Sequence, residues 1–162
     1  QHRIGLWWAL HALHHSQRSM TFWTDDRNHL LDMVITDAVL AFVALAVGVP
    51  PGQFVMIVVV SRSLESLAHA NVRLGFGRVG EWLLVSPRFH RIHHAIGLGH
   101  EGRAHGWNFA VLFPVWDHLF GTAHPSREFP ATGIRDQLDG RDYGEGFWRQ
   151  QWLGLRRMAG RE

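Results

Sequence analysis

Residues 86–95 read SPRFHRIHHA, and this stretch decides the fold, because Ser86-Pro87 starts a helix that carries His90, His93 and His94. A serine at that point accepts a hydrogen bond from the first-turn amides, and proline suits the first helical position, where an N–H has no intrahelical partner. At 3.6 residues per turn, positions i, i+3 and i+4 share one face, so three imidazoles converge on one point. The same HxxHH spacing recurs at His11, His14 and His15, inside the helix-like segment LWWALHALHHS at residues 6–16. The reading is an all-α fold in which two helices each present a three-histidine face.

The chain has 13 histidines in 162 residues, dispersed in patterned groups rather than run together as a tag. Chance placement yields well under one HxxHH in this length, and two are present. Clustered imidazoles are costly to bury unless something holds them together, which points to metal. With no cysteine in the chain, that metal is held by nitrogen and oxygen. Imidazole ligands suit iron, copper, zinc or nickel. Neither HxxHH encloses the glutamate of a zinc hydrolase, and the ExxH pairs of soluble di-iron bundles are missing.

Further ligands are expected, because six histidines are few for two ions. His69 is the next candidate. His2 lies nine residues before His11, about half a turn round a continuous helix, so it joins only if the chain bends, and Gly5 is the expected bend. His29, His100, His105, His118 and His124 are isolated and read as surface or supporting residues. Among them His105 stands apart, in the glycine loop just before Asn108. Asn108 is placed to orient a ligand and Asp117 to cap or pair locally.

Between the two histidine groups, Met33–Val49 is apolar except for Thr36 and Asp37 and spans about 25 Å as a helix. Pro50-Pro51-Gly52 breaks it, and the apolar run resumes from Gln53. Residues 30–74 therefore read as a membrane helical hairpin. The core of a soluble bundle is the competing reading, and the uniformly apolar stretch Val39–Val49 argues against it. Thr24, Asp25, Asp26 and Asn28 offer caps to the first hairpin helix. After the second histidine group, Gly97, Gly99, Gly102 and Gly106 mark a loop. Residues 108–122 are then apolar and aromatic, broken at Pro114. Residues 125–146 read as surface loop, and Phe147–Met158 as an interfacial or packing helix with Phe147, Trp148, Trp152 and Leu155 on one face. The 16 basic residues, all arginine, face 14 acidic ones and are spread along the chain, so no nucleic-acid partner is expected.

Taken in order, His2-Arg3, LHALHHS at 10–16, HANVRL at 69–74, SPRFHRIHHA at 86–95 and NFAVLFPVWDHLFGT at 108–122 resemble the fatty acid hydroxylase / sterol desaturase superfamily of membrane-bound histidine-box oxygenases. The resemblance implies one domain over residues 1–162, with a membrane anchor and a histidine-rich helical cap on the cytoplasmic side. The cap would carry a dinuclear site of two iron ions, for which zinc substitutes in preparations, with O2 as co-substrate. It implies as metal ligands His2, His11, His14, His15, His69, His90, His93 and His94. His105, Asn108 and Asp117 fall around that set. It also implies a lipid substrate, an integral membrane location and an electron donor of ferredoxin or cytochrome type. A further histidine and further membrane helices are expected upstream of Gln1. Where some relatives carry one more histidine, this chain has Arg73. Trp7, Trp8, Phe89, Phe109 and Trp116 are candidate walls for a lipid. The alternative is a histidine-rich metal-binding or metal-transport membrane protein without redox chemistry, and a zinc hydrolase is a third reading.

Overall fold

The computed structural model describes residues 1–101 and 105–161. The expected loop glycine Gly102 lies outside them. Among the described residues seven α-helices follow in order: α1 (Gly5–His15), α2 (Leu30–Ala46), α3 (Pro51–Ala68), α4 (Gly77–Leu83), α5 (Pro87–His93), α6 (Val115–Phe120) and α7 (Phe147–Met158). Short 3-10 turns lie at Phe22–Asp26 and Arg135–Gln137. Among the described residues there is no strand, only one antiparallel bridge between Ala95 and Thr132.

α1 and α5 form as their sequences dictate. Ser86 Oγ accepts the Phe89 amide at 3.1 Å and donates to Glu81 Oε1 at 2.8 Å, so one hydroxyl caps α5 and ties it to α4. Ser86→Ala is expected to destabilise the protein by about 0.5–2 kcal/mol, read as a lower thermal midpoint, and threonine should restore most of it. An unchanged midpoint would contradict the cap.

α2 starts differently from expectation. Its cap is His29, whose Nδ1 accepts the Leu31 amide at 3.2 Å while Nε2 donates to the Gln151 carbonyl at 2.9 Å. Of the residues expected as caps, Thr24 instead closes the 3-10 turn with Thr21, and Asp25 is buried. Gln151 also accepts the Leu30 amide at 2.8 Å, so the base of α2 is bonded to α7. Gly154 completes this junction, since a side chain there would collide with the His29 imidazole.

α2 and α3 are joined through Gly48, whose φ of 78° needs no Cβ, and Pro50. An ion pair from Arg62 to Asp37 at 2.8 Å shows the two helices running back alongside each other. They are nevertheless splayed, with few close backbone approaches, and enclose a groove. No helix among the described residues is long and apolar enough to cross a membrane. α2 has 17 residues, and the second half of α3 carries Ser61, Arg62, Ser63, Glu65 and Ser66.

The interior is unusual for its polarity. Among the described residues seventeen polar or charged side chains are buried, against thirteen apolar ones together with Pro87 and Pro114, while Phe42, Leu45 and Val47 of the hairpin are each at least 70% exposed. The apolar contribution to the core is small and centres on Leu10, Leu13, Met20 and Ile92. One expectation for the tail fails. Residues 131–143 fold back onto α1 and α5 and bury Thr132, Ile134 and Tyr143, because the 131–133 backbone bonds to Ala95–Ile96 and His94. In α7, Phe147, Trp148, Trp152 and Leu155 face outward, and the buried positions are Gln151, Leu153 and Gly154, since α1 offers α7 a surface that takes small and polar groups.

Candidate metal centre

The two HxxHH helices bring their histidine faces together. The end of α1 supplies His11, His14 and His15, and α5 with its C-terminal cap supplies His90, His93 and His94. His69, the C-terminal cap of α3, enters from a third direction. His2 arrives through a bend at Arg3, two residues before the expected Gly5, which instead takes the first position of α1. Its ring lies 4.7 Å from His15, 4.8 Å from His93 and 5.2 Å from His11.

The ligand atoms fall into overlapping sets. His14, His69, His90 and His94 form one, His2, His11 and His15 another, and His15, His93 and His94 a third, each within 4.8 Å. Within the first, Nε2 of His69 is 3.1 Å from that of His14 and 3.2 Å from that of His90, and the His90–His94 separation is 3.1 Å. Nitrogens sharing one metal at about 2.1 Å lie about 3.0–3.4 Å apart, so these spacings match a shared ion.

Hydrogen bonding on the outer nitrogens supports the fit. Nδ1 of His11 donates to Asp32 at 2.9 Å, Nδ1 of His93 to the Trp107 carbonyl at 2.9 Å, and Nδ1 of His69 to the Glu65 carbonyl at 2.9 Å with Asp25 3.2 Å away. A ring protonated at Nδ1 presents a bare lone pair at Nε2. These lone pairs face other imidazoles, and His15 Nε2 is buried with no hydrogen-bond partner. Lone pairs facing each other in a dry interior repel unless a cation sits between them. Partners of this kind orient metal-binding imidazoles.

Asp25 and Asp32 escape a sequence reading because they lie 44 and 21 residues from the histidines they support. Near the start of a helix, such acids read as caps. Asp32 also accepts from Trp7 Nε1 at 2.6 Å and Gln1 Nε2 at 3.0 Å.

The other expected positions behave differently. His105 is exposed with φ of 75° and stands apart from the cluster. Asn108 donates to the Phe89 carbonyl at 2.8 Å and accepts the His124 amide at 2.7 Å, clipping the 108–124 segment to α5 with both ends of its amide engaged. Asp117 accepts from the Phe109 and Ala110 amides and from Thr122 Oγ1, which fixes the bend before α6. His118 stacks on Trp82 at 4.0 Å.

Burial, reinforced by neighbouring imidazoles, holds His14, His15, His90 and His94 well below the usual histidine range. Burial also takes His93 down to about 3 despite its bond to the Trp107 carbonyl. All five are neutral at neutral pH. Below about pH 6.5 the unfolded chain takes up protons that the folded cluster refuses, so stability is full above that value and is lost as pH falls towards the folded pKa values. The thermal midpoint of the metal-free protein is expected to drop between about pH 7 and pH 5, each such histidine adding a slope of about 1.4 kcal/mol per pH unit. A flat midpoint across that window would contradict the burial of neutral rings.

From the cluster a cavity of about 660 Å³ runs along the groove between α2 and α3. His2, His11, His14, His69, His90 and His93 line its inner end, and Leu40, Val43, Val47, Phe54 and Ile57 its outer reach. Asp37, Arg62 and Glu65 lie on its wall, with Arg62 bonded to both acids. Of the aromatic residues expected as walls, Phe109 and Trp116 line it, whereas Trp7, Trp8 and Phe89 do not.

The sequence model of the fatty acid hydroxylase family matches residues 1–122. An ornithine lipid hydroxylase from Rhizobium tropici is 31% identical over 127 residues, covering 78% of this chain and 37% of that protein. Alkylglycerol monooxygenases from Xenopus tropicalis and Homo sapiens are each 26% identical over 138 residues, 85% of this chain and 29% of theirs. The chain thus spans between 29% and 37% of the length of these curated relatives. No solved structure matches it.

Proposed function

The chain belongs to the fatty acid hydroxylase family, and from that membership we propose that it forms the metal-carrying part of an enzyme that uses O2 to hydroxylate or desaturate a C–H bond of a lipid. One observation carries the reading: the buried histidine cluster closes the inner end of a largely apolar cavity. His14, His69, His90 and His94 would hold one iron ion, and His2, His11 and His15, with His93 beside them, a second. Bound there, the two ions would supply the reduction of O2 and the removal of hydrogen from an unactivated carbon.

The chain's own residues do the positioning. Leu40, Val43, Val47, Phe54 and Ile57 hold an alkyl portion by burying it, and Phe109 packs against His2 and His93 where the groove meets the cluster. Asp25 and Asp32 keep the inner nitrogens of His69 and His11 free of protons. The low exposure of the cluster excludes water from the reacting carbon.

The lipid enters from a bilayer. Supporting this are the exposed apolar side chains of α2 and α3, continued by Val79, Trp82, Leu119 and Phe120 on α4 and α6. The hairpin dips into the membrane with its uncharged tip, residues 47–54, leading. Arg27, Arg73 and Arg78 stay with the cap on the cytoplasmic side.

The test is isotope-labelled O2 supplied to the full-length, iron-loaded protein in membranes, with a reducing partner and a panel of membrane lipids. The label should appear in a lipid alcohol, or a new double bond should form with O2 consumed. Stoichiometric zinc in a natively expressed preparation, with neither O2 uptake nor product, would overturn the reading.

A further inference from the structure

The cavity wall changes character along its length. Between the histidines and the apolar reach, α2 contributes Thr36 and Asp37, and α3 contributes Ser61, Arg62 and Glu65. Along α3, Glu65 stands four residues and Arg62 seven residues before His69, so this polar girdle lies on the order of 6–10 Å from the cluster. Beyond it, α3 runs eight residues from Arg62 back to Phe54 and α2 ten residues from Asp37 to Val47, which gives about 12–15 Å of apolar groove. A long alkyl chain fits the outer part, because the inner part is short and ends at the histidines. A lipid in the groove therefore lies tail outward, and the carbons closest to the cluster are those of its head group and those next to it.

Hydrogen bonding at the girdle decides which heads fit. Arg62 donates through Nη2 to Asp37 Oδ1 at 2.8 Å and through Nη1 to Glu65 Oε2 at 3.2 Å. Two acids around one guanidinium leave acceptors in excess. Asp37 Oδ2 and Glu65 Oε1 carry no hydrogen bond among the described residues, and the Asp37 side chain is 55% exposed. A strut between α2 and α3 accounts for one of these ion pairs, but it adds little stability when so exposed and needs no second acid. An ester head would bring a further acceptor to a girdle already rich in them, and an anionic head would meet like charge. A head that donates completes the set, and polar groups left unpaired in an apolar groove are costly.

We propose that Asp37, held by Arg62, is the specificity-determining residue of the cavity: it accepts a hydrogen bond from a lipid whose head group is a donor, a hydroxyl or an ammonium, and seats that lipid head inward. Oxidation then falls at the head end of the chain. This rests on the oxygenase reading above and names the substrate class within it. Glu65 engages the other side of Arg62 and keeps the guanidinium from serving an acceptor head.

The test separates binding from turnover. Iron-loaded, full-length protein in nanodiscs is kept anaerobic, and 1-octadecanol, octadecylamine, methyl octadecanoate and octadecanoate each compete with a fluorescent lipid to give a Kd. The four share one chain length, and the alcohol and amine arms tell a hydroxyl preference from an ammonium one. The wild type should bind one or both donor lipids about ten-fold or more tighter than the methyl ester, the difference made by a single hydrogen bond to a charged acceptor. Asp37→Ala removes that acceptor and frees Arg62 Nη2, so the ranking should invert at unchanged metal content. Donor lipids should weaken by about ten-fold while octadecanoate tightens, a gain that a purely structural role for Asp37 does not produce. With O2 and reductant admitted to the wild type, fragment mass spectrometry should place the new oxygen or double bond at the head end. Equal Kd values for the four lipids on the wild type would overturn the proposal. So would an unchanged ranking in Asp37→Ala, weakening of octadecanoate along with the donors, or oxidation at the far methyl end. Failure of the oxygenase reading shows separately, as wild-type protein that ranks the lipids as predicted yet consumes no O2.

Discussion

His94→Ala is expected to empty the centre. His94 is fully buried, stacks on His15 at 4.4 Å, lies 4.8 Å from both His14 and His90, and belongs to two of the three ligand sets. Loss of a supporting partner typically costs 10–100-fold in metal affinity or activity, so loss of a shared ligand should exceed about 100-fold. Metal per chain should fall below half the wild-type value, and lipid oxidation to background. His118→Ala is the control: it removes a histidine stacked on Trp82, away from the cluster, and should keep its metal. His94→Ala protein with full metal and turnover would refute the ligand assignment.

Asp32→Asn is expected to weaken the centre by about 10–100-fold in metal affinity or kcat without unfolding the protein. The asparagine fills the same space and can still accept from Trp7 and Gln1 through its oxygen. The amide nitrogen then faces His11 Nδ1 and cannot accept its proton, so the ring must change tautomer or turn. Chelator competition measures the affinity and steady-state turnover the rate. Wild-type values for both would show that Asp32 serves only the packing of α2 against α1.

The two HxxHH faces were legible because helical periodicity is local: the spacing alone aims three rings at one point. His2 and His69 were harder, since each reaches the cluster from outside the HxxHH helices and needs a chain path that periodicity does not describe. Asp25 and Asp32 were out of reach for the same reason. Their partners are set by how α3 and α1 pack, and beside a helix start an acid reads first as a cap. The aromatic stripe of α7 was legible, but the side it faces was not: it points outward while smaller residues face α1. The splay of α2 and α3 was equally hidden, because a broken apolar run reads as a packed hairpin whether or not a groove separates its arms.

The central claim is that eight histidines hold a pair of metal ions at the closed end of a lipid cavity. The most direct test is metal analysis of the full-length protein, purified from membranes of iron-replete cells, after exhaustive treatment with a weak chelator. About two iron ions per chain are predicted for the wild type, all with nitrogen-dominated X-ray absorption shells at about 2.0–2.2 Å. A single retained ion, or none, would contradict the account.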